Sequence, residues 1–376
     1  MDGKGAGPLS GLKVLEFAGL GPAPFAAMYL ADLGASVISL RRSGAFQMPG
    51  DPRKDTLARG KKSLDADLKS PDGRALALTL AAEADVVIEG YRPGAMERLG
   101  LGPDDLLAVN PRLIYGRMTG WGQTGPLAAR AGHDPNYIGL VGALHAIGHK
   151  GQKPVMPLSL VGDFGGGAMY LVAGILAALW ETGRSGRGQV IDAAIVDGAA
   201  HLMAPTYSFL AGGAWVDDRG SNLLDSGTPF IDTYETSDGK YMAAVAMEEP
   251  FYREFVRVLG IEERMPTRRF DPRTFDDQRD IIAEAFRSRT RDEWVAAFDG
   301  VDACVGPVLS MTEAPQHEHN VARSTFFDRD GHPEPSPAPR FSRTAPGIPD
   351  APELPGDTPA EAVLAEWGID APSSTR

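Results

Sequence analysis

The chain has 376 residues, 43% of them hydrophobic and 23% charged, enough for two or three domains around buried cores. This balance excludes a disordered, collagenous or disulfide-stapled protein. Lys plus Arg number 37 against 50 Asp plus Glu, a net charge of −13 that repels a polyanionic duplex and argues against a nucleic-acid partner.

Leu12–Phe17 reads as a short buried strand, closed by a turn holding Gly19, Gly21, Pro22 and Pro24. A helix to Leu33 and a strand Ser36–Leu40 follow. The alternation continues with a helix Asp72–Ala84, a strand Asp85–Tyr91, helices from Pro93 and over Pro103–Val109, and a strand Arg112–Met118. Such a β-α repeat predicts an α/β fold: a doubly wound, mainly parallel sheet in the large domain. Gly165–Gly167 open a helix ending near Thr182; a turn leads to the strand Gln189–Asp192, and an apolar helix covers Ala193–Leu210. The pattern changes near residue 225. Phe230–Glu235 and Lys240–Ala246 flank Ser237, Asp238 and Gly239 as a hairpin, and helical periodicity returns at Tyr252–Leu259, Asp280–Phe286 and Asp292–Phe298, giving a smaller α+β domain. Nine prolines in residues 333–359 predict a segment without regular structure. The expected division is a large domain 1–190, a linker helix region 191–224, a small domain 225–325 and a C-terminal segment 326–376.

No secretory signal is expected from Met1–Ser10, and the apolar run Ala168–Trp180 is short for a bilayer, so it reads as a buried helix and no membrane insertion is expected. The single cysteine, Cys304, excludes an internal disulfide and a thiolate metal cluster and fits a reducing, cytoplasmic setting. His317-Glu318-His319 lacks the spacing of a zinc motif, so no metal is expected.

Four constellations carry candidate chemistry. Gly19-Leu20-Gly21-Pro22-Ala23-Pro24 lacks the third glycine of a dinucleotide fingerprint and reads as a tight turn, with an NADP site, its 2′-phosphate met by Arg41 and Arg42, as the alternative. Residues 41–62 set Arg41, Arg42, Arg53, Lys54, Arg59, Lys61 and Lys62 against only Asp51 and Asp55, a local reversal of charge that marks a site for the phosphates of a small ligand or a solvated basic loop. Arg92, in the turn Gly90-Tyr91-Arg92-Pro93-Gly94, can add a bidentate contact. Gly132-His133-Asp134-Pro135-Asn136-Tyr137 presents a histidine suited to general base work, with Asp134 as a helix cap. Asp163, in Val161-Gly162-Asp163-Phe164-Gly165-Gly166-Gly167, sits at a helix start, where N–H groups can cap it or hold an oxyanion. Glu248 and Glu249, after a hairpin strand, are either an acid/base pair of candidates or a surface helix start.

Pro8-Leu9-Ser10-Gly11-Leu12-Lys13-Val14-Leu15-Glu16, Asp32-Leu33-Gly34-Ala35, Gly90-Tyr91-Arg92-Pro93-Gly94, Gly122-Gln123-Thr124-Gly125-Pro126 and Gly186-Arg187-Gly188-Gln189 resemble the family III CoA-transferases over essentially the whole chain. Within that family, Gly132-His133-Asp134 with Asn136-Tyr137, Leu160-Val161-Gly162-Asp163-Phe164-Gly165-Gly166-Gly167 and Pro337-Ala338-Pro339-Arg340-Phe341-Ser342-Arg343-Thr344 are similar to the α-methylacyl-CoA racemases. The resemblance implies an isomerase that inverts the α-carbon of 2-methylacyl-CoA thioesters. His133, Asp163 and Glu248 would be its acid/base residues, Glu248 pairing with His133. It further implies that Arg42 and Arg92 hold CoA phosphates and that Arg59, Lys61 and Lys62 meet the adenosine end. CoA is part of the substrate, so no separate cofactor is implied, and the partner is a second copy of the chain in an interlocked homodimer. Backbone N–H groups at the Asp163 helix start would stabilise the enolate. Ser159 stands where these racemases usually show Asn. The same Asp163 position serves the transferases as the acyl-accepting nucleophile, so CoA transfer between carboxylic acids is the competing activity.

Overall fold

A computed structural model describes residues 7–42 and 49–370. In chain order it contains β1 Lys13–Phe17, α1 Pro22–Asp32, β2 Ser36–Arg41, β3 Lys61–Asp65, α2 Pro71–Glu83, β4 Val86–Glu89, α3 Ala95–Arg98, α4 Pro103–Val109, β5 Ile114–Thr119, α5 Asp134–Leu140 and α6 Ala143–Ala146. A π-helical turn, Leu160–Ala168, runs into α7 Met169–Ser185, followed by β6 Gln189–Ala194, α8 Ile195–Leu202 and α9 Ala204–Ala211. The remainder is β7 Ile231–Glu235, β8 Tyr241–Val245, α10 Glu249–Leu259, α11 Phe275–Phe286, α12 Arg291–Phe298, β9 Val305–Val308, α13 Glu318–Ala322, β10 Phe326–Arg329, β11 His332–Pro335 and α14 Ala360–Glu366.

The described residues form two compact units. The first draws on residues 7–42, 49–141, 157–202 and 328–370, the second on Gly142–Met156 and Met203–Phe327. The expected linker region 191–224 is therefore divided between them: α8 ends the first unit's middle portion and α9 lies in the second. The predicted single helix Ala193–Leu210 is two helices, with Pro205 in the first turn of α9, where its missing N–H costs nothing.

In the first unit six parallel strands pair in the order β3-β2-β1-β4-β5-β6. Successive side chains of a strand point to opposite faces, and both faces are covered, so the strands read as nearly continuous apolar runs. Val14 packs with Ala26, Leu30, Leu171 and Ile175 on one face, while its neighbour Leu15 packs with Leu80, Leu106, Val363 and Trp367 on the other. Strand order reverses between β1 and β4, which opens a crevice at their carboxyl ends. β3 was not predicted, because Lys61 and Lys62 interrupt the apolar signal. The π-turn and α7 make one continuous helix, Leu160–Ser185, of 26 residues, with an 18-residue stretch of mean hydropathy 1.5. Length alone therefore does not distinguish it from a spanning segment. Its assignment as a core helix rests on Leu171, Val172, Ile175 and Ala178, which are buried in the same core as β1, β4 and β5.

The second unit has an antiparallel sheet in the order β7-β8-β9, so the predicted hairpin carries a third strand. Phe230, Phe255, Phe286 and Trp294 fill its core. The proline-rich segment is not wholly irregular, since β10 and β11 form a two-stranded sheet at its start.

Charge is handled by internal pairing. Arg59 meets Asp32 through two bonds, at 2.6 and 3.0 Å, and reaches Glu334 at 3.3 Å and the Pro335 carbonyl at 2.9 Å. Lys61 donates to Glu16 at 2.9 Å and to the Pro24 carbonyl at 3.0 Å. Lys62 meets Glu353 at 2.6 Å, and Arg53 forms a two-pronged pair with Asp357 at 2.8 and 3.0 Å. The C-terminal segment thus supplies three of the carboxylates that neutralise the basic loop. Glu16 is 1% exposed, so removing its partner leaves an uncompensated buried charge. Lys61→Met is expected to cost about 3–5 kcal/mol, and Glu16→Gln added to it to recover most of that loss. Urea unfolding of the single and double variants checks this; an unchanged midpoint for Lys61→Met contradicts it.

Candidate active site

The turns at the carboxyl ends of β1, β4 and β5 and the π-turn converge on one carboxylate. After β1 the chain turns at Gly21, with φ 71° and ψ −121°, a conformation open to glycine alone. A methyl group on Gly21 would lie 3.7 Å from Asp163 Oδ2, so the Asp163 carboxylate faces this turn. After β4, Tyr91 donates its hydroxyl to the Ala18 carbonyl at 3.0 Å, tying the Arg92 turn to the end of β1. After β5, Gly120 and Gly132 leave room for the ring of Tyr137, whose hydroxyl donates to the Gly132 carbonyl. Trp121 packs on that ring edge to face, with centroids 4.7 Å apart.

His133 is the residue before α5. Its extended backbone, φ −135° and ψ 171°, starts the helix, and its N–H donates to Asn136 Oδ1 at 3.0 Å. The side chain is exposed. Asp134 is the first residue of α5 but does not cap that helix. Its Oδ2 instead accepts the backbone N–H of Asp163 at 2.7 Å, one of the early N–H groups of the π-turn that lack an intrahelical partner. A Cβ on Gly162 would fall 2.1 Å from this oxygen, so only glycine admits the carboxylate.

Asp163 enters the turn after two left-handed residues, Leu158 with φ 55° and Ser159 with φ 61°. Phe164 donates its N–H to the Ser159 carbonyl at 3.1 Å, a bond five residues back that defines the wider π-turn. The glycines behind it are packing residues. A Cβ on Gly166 would lie 2.7 Å from the Ala199 nitrogen, and one on Gly198 would lie 1.9 Å from the Gly166 carbonyl oxygen, so α8 rests directly on the π-turn backbone. Two of the N–H groups expected to meet an oxyanion are consumed, those of Asp163 by Asp134 and of Phe164 by Ser159. Burial pushes the Asp163 carboxyl pKa up, and the neighbouring Asp134 adds to this, while the Ser159 hydroxyl bonded to it and the charge of His133 oppose it. His133 and Asp134, neighbours in sequence, thus both act on the Asp163 carboxyl. Asp134 was not foreseen in this role: its signal is the acidic residue directly after the histidine, read there as a cap of its own helix.

The five expected phosphate contacts separate. Arg42, at the end of β2, and Arg92, after β4, are exposed along the carboxyl edge of the sheet. Arg42 acts on Tyr91, and Arg92 on Tyr137, whose phenol pKa is raised by burial and then by the charge of Asp163. Arg59 and Lys61 are instead buried, 3% and 2% exposed, and held by the protein's own carboxylates, as Lys62 is at the surface by Glu353. Their place in the charge reversal is thus accounted for by acidic residues distant in sequence. In the second unit Glu248 precedes α10 and is exposed, and among the described residues no ion pair engages it. Glu249 is held by Arg253 at 2.9 Å and approached by Arg269 at 3.7 Å.

Residues 9–358 match CoA-transferase family III, and the chain belongs to that family. It is 44% identical over 364 residues to the alpha-methylacyl-CoA racemase of Mus musculus, covering 96% of this chain and 93% of that one. Identity to the alpha-methylacyl-CoA racemase of Homo sapiens is 40% over 366 residues, 96% and 94% of the two chains. The fold is similar to the crystal structure of a CAIB/BAIF family protein from Brucella suis, with a TM-score of 0.82 and 28% identity over 96% of this chain and all of that one.

The raised pKa has a consequence for stability. Asp163 keeps its proton to higher pH in the folded chain than in the unfolded one. Its favourable contribution is therefore present below the unfolded value and is lost as pH rises through the folded one. Asp163→Asn, which cannot ionise, is expected to melt above the wild type at pH 7, with the gap closing as pH falls toward about 4. Calorimetry at the two pH values checks the sign, and a less stable variant at pH 7 contradicts it.

Proposed function

We propose that the chain is a racemase of 2-methylacyl-CoA thioesters. The observation that carries this reading is the juxtaposition of His133 and Asp163 at the switch-point crevice, two proton carriers of different chemistry within reach of each other's charge. Inverting a carbon next to a thioester carbonyl requires that one group remove its proton while another delivers one to the opposite face. In one direction Asp163 takes the α-proton, the electron pair moves onto the thioester oxygen as an enolate, and protonated His133 returns a proton to the α-carbon. In the other direction the two exchange roles. A carboxyl with raised proton affinity suits a proton carrier that must be regenerated near neutral pH.

The enolate oxygen needs a fixed donor. At the start of α5, Pro135 has no N–H, and the N–H groups of Asn136 and Tyr137 both point to the His133 carbonyl, at 2.8 and 3.4 Å. We assign the oxygen to the N–H of Asp134, for which no protein acceptor is found among the described residues. Arg42 and Arg92, the exposed guanidinium groups along the strand ends, are assigned to the CoA phosphates. Glu248, rather than the engaged Glu249, keeps the acid/base role that the resemblance gives it. The homodimer implied by the resemblance belongs to the same proposal, as does the cytoplasmic setting.

A single enantiomer of a 2-methylacyl-CoA incubated in deuterated water tests the reading. The expected outcome is α-deuterium incorporation with loss of configuration. CoA exchange that depends on an added carboxylic acid, with the α-proton retained, supports transfer through Asp163 instead. His133→Ala and Asp163→Ala are each expected to lower kcat for racemisation by about 10²–10⁴. Arg92→Ala is expected to raise KM roughly tenfold with kcat nearly unchanged.

A further inference from the structure

We propose that Asp134 is the positioning residue of this site, a buried carboxylate that sets the place of Asp163. Three observations carry this. The Asp134 residue is 2% exposed, and its Oδ2 takes the Asp163 N–H at 2.7 Å, so it caps the π-turn from a different helix. Gly162 leaves no alternative side chain in the space that this oxygen fills. The second oxygen, Oδ1, is buried and has no hydrogen-bond partner among the described residues, an arrangement that packing alone would not favour.

Because Asp134 adjoins His133 in sequence, one side chain fixes the distance between the two proton carriers. The start of α5 holds the His133 backbone, and the carboxylate holds the amide of Asp163. Its charge also acts on the Asp163 carboxyl. The groups that act on that carboxyl are Asp134 and His133 from the start of α5 and the Ser159 hydroxyl from the approach to the π-turn. The phenol of Tyr137 also lies within its reach. From the other packed elements, α1 and α8 turn Pro22, Phe25, Ile195, Gly198 and Ala199 toward the π-turn, none of them titratable.

Asp134→Asn keeps an oxygen to accept the Asp163 N–H and removes the charge, whereas Asp134→Ala removes both. The full chain labelled with ¹³C-aspartate, with the Asp163 signal assigned through Asp163→Asn, reports the Asp163 titration directly. In Asp134→Asn the Asp163 midpoint is expected to fall toward the ordinary carboxylate value. The limb of the pH–rate profile that needs Asp163 ionised should move to lower pH with it. Asp134→Ala is expected to lower kcat on the order of 10²-fold through misplacement, with Asp134→Asn recovering to within about tenfold of wild type at its own optimum. In its kinetic part this builds on the racemase reading; the titration does not. Absence of α-hydrogen exchange in the wild type, with the Asp163 midpoint shifted in Asp134→Asn, overturns the racemase reading alone. An unchanged Asp163 midpoint in Asp134→Asn, or equal kcat in Asp134→Ala and Asp134→Asn, overturns the role of Asp134.

Discussion

Backbone meets backbone where the π-turn 160–168 lies against α8, because glycine occupies the contact from both sides at Gly166 and Gly198. The same lack of side chains at Gly162 lets the Asp134 carboxylate reach the turn. A methyl group at any of these positions would have to displace main-chain atoms or a buried carboxylate, neither of which moves cheaply in a close-packed interior. The position of Asp163 is therefore set by what its neighbours lack. The wider spacing of the π-turn, with its i to i+5 bond, belongs to the same constraint, since it brings Asp163 round to face the Gly21 turn after β1.

Electrostatics divides the first unit into two regions with opposite logic. Beneath and beside the sheet, charges are buried in pairs: Lys61 with Glu16, Arg59 with Asp32 and Glu334, and Arg117 with Glu89. These hold the basic loop and the C-terminal segment in register on the fold and leave little charge over for a ligand. At the carboxyl edge the arrangement is incomplete. Arg42 and Arg92 stand exposed, Asp163 is crowded by another carboxylate, and the buried Asp134 Oδ1 has no donor among the described residues. Exposed guanidinium groups beside a carboxyl with raised proton affinity support the proposal of a ligand site at this edge.

The alternation of apolar runs and Gly/Pro turns made the parallel sheet legible, because strands covered on both faces leave an uninterrupted hydrophobic signal. β3 was hidden by Lys61 and Lys62, whose charges look solvent-facing until Glu16 and Glu353 are found opposite them from remote parts of the chain. The break between α8 and α9 was available in Pro205 but was outweighed by the length of the apolar run. His133 and Asp163 stood out through local turn chemistry and the family resemblance. The part of Asp134 did not, since a side chain that caps a helix other than its own leaves no mark in local spacing. The glycine triplet was read as a place of close approach, and the structure names what approaches, the backbone of α8.

The central claim is that His133 and Asp163 address opposite faces of one carbon. The most direct measurement follows α-hydrogen exchange in deuterated water from each enantiomer separately, in His133→Ala and in Asp163→Asn. The account predicts that each variant still exchanges one enantiomer, and that the two variants retain opposite ones. Retention of the same enantiomer by both, or equal loss of both enantiomers in each, would contradict it.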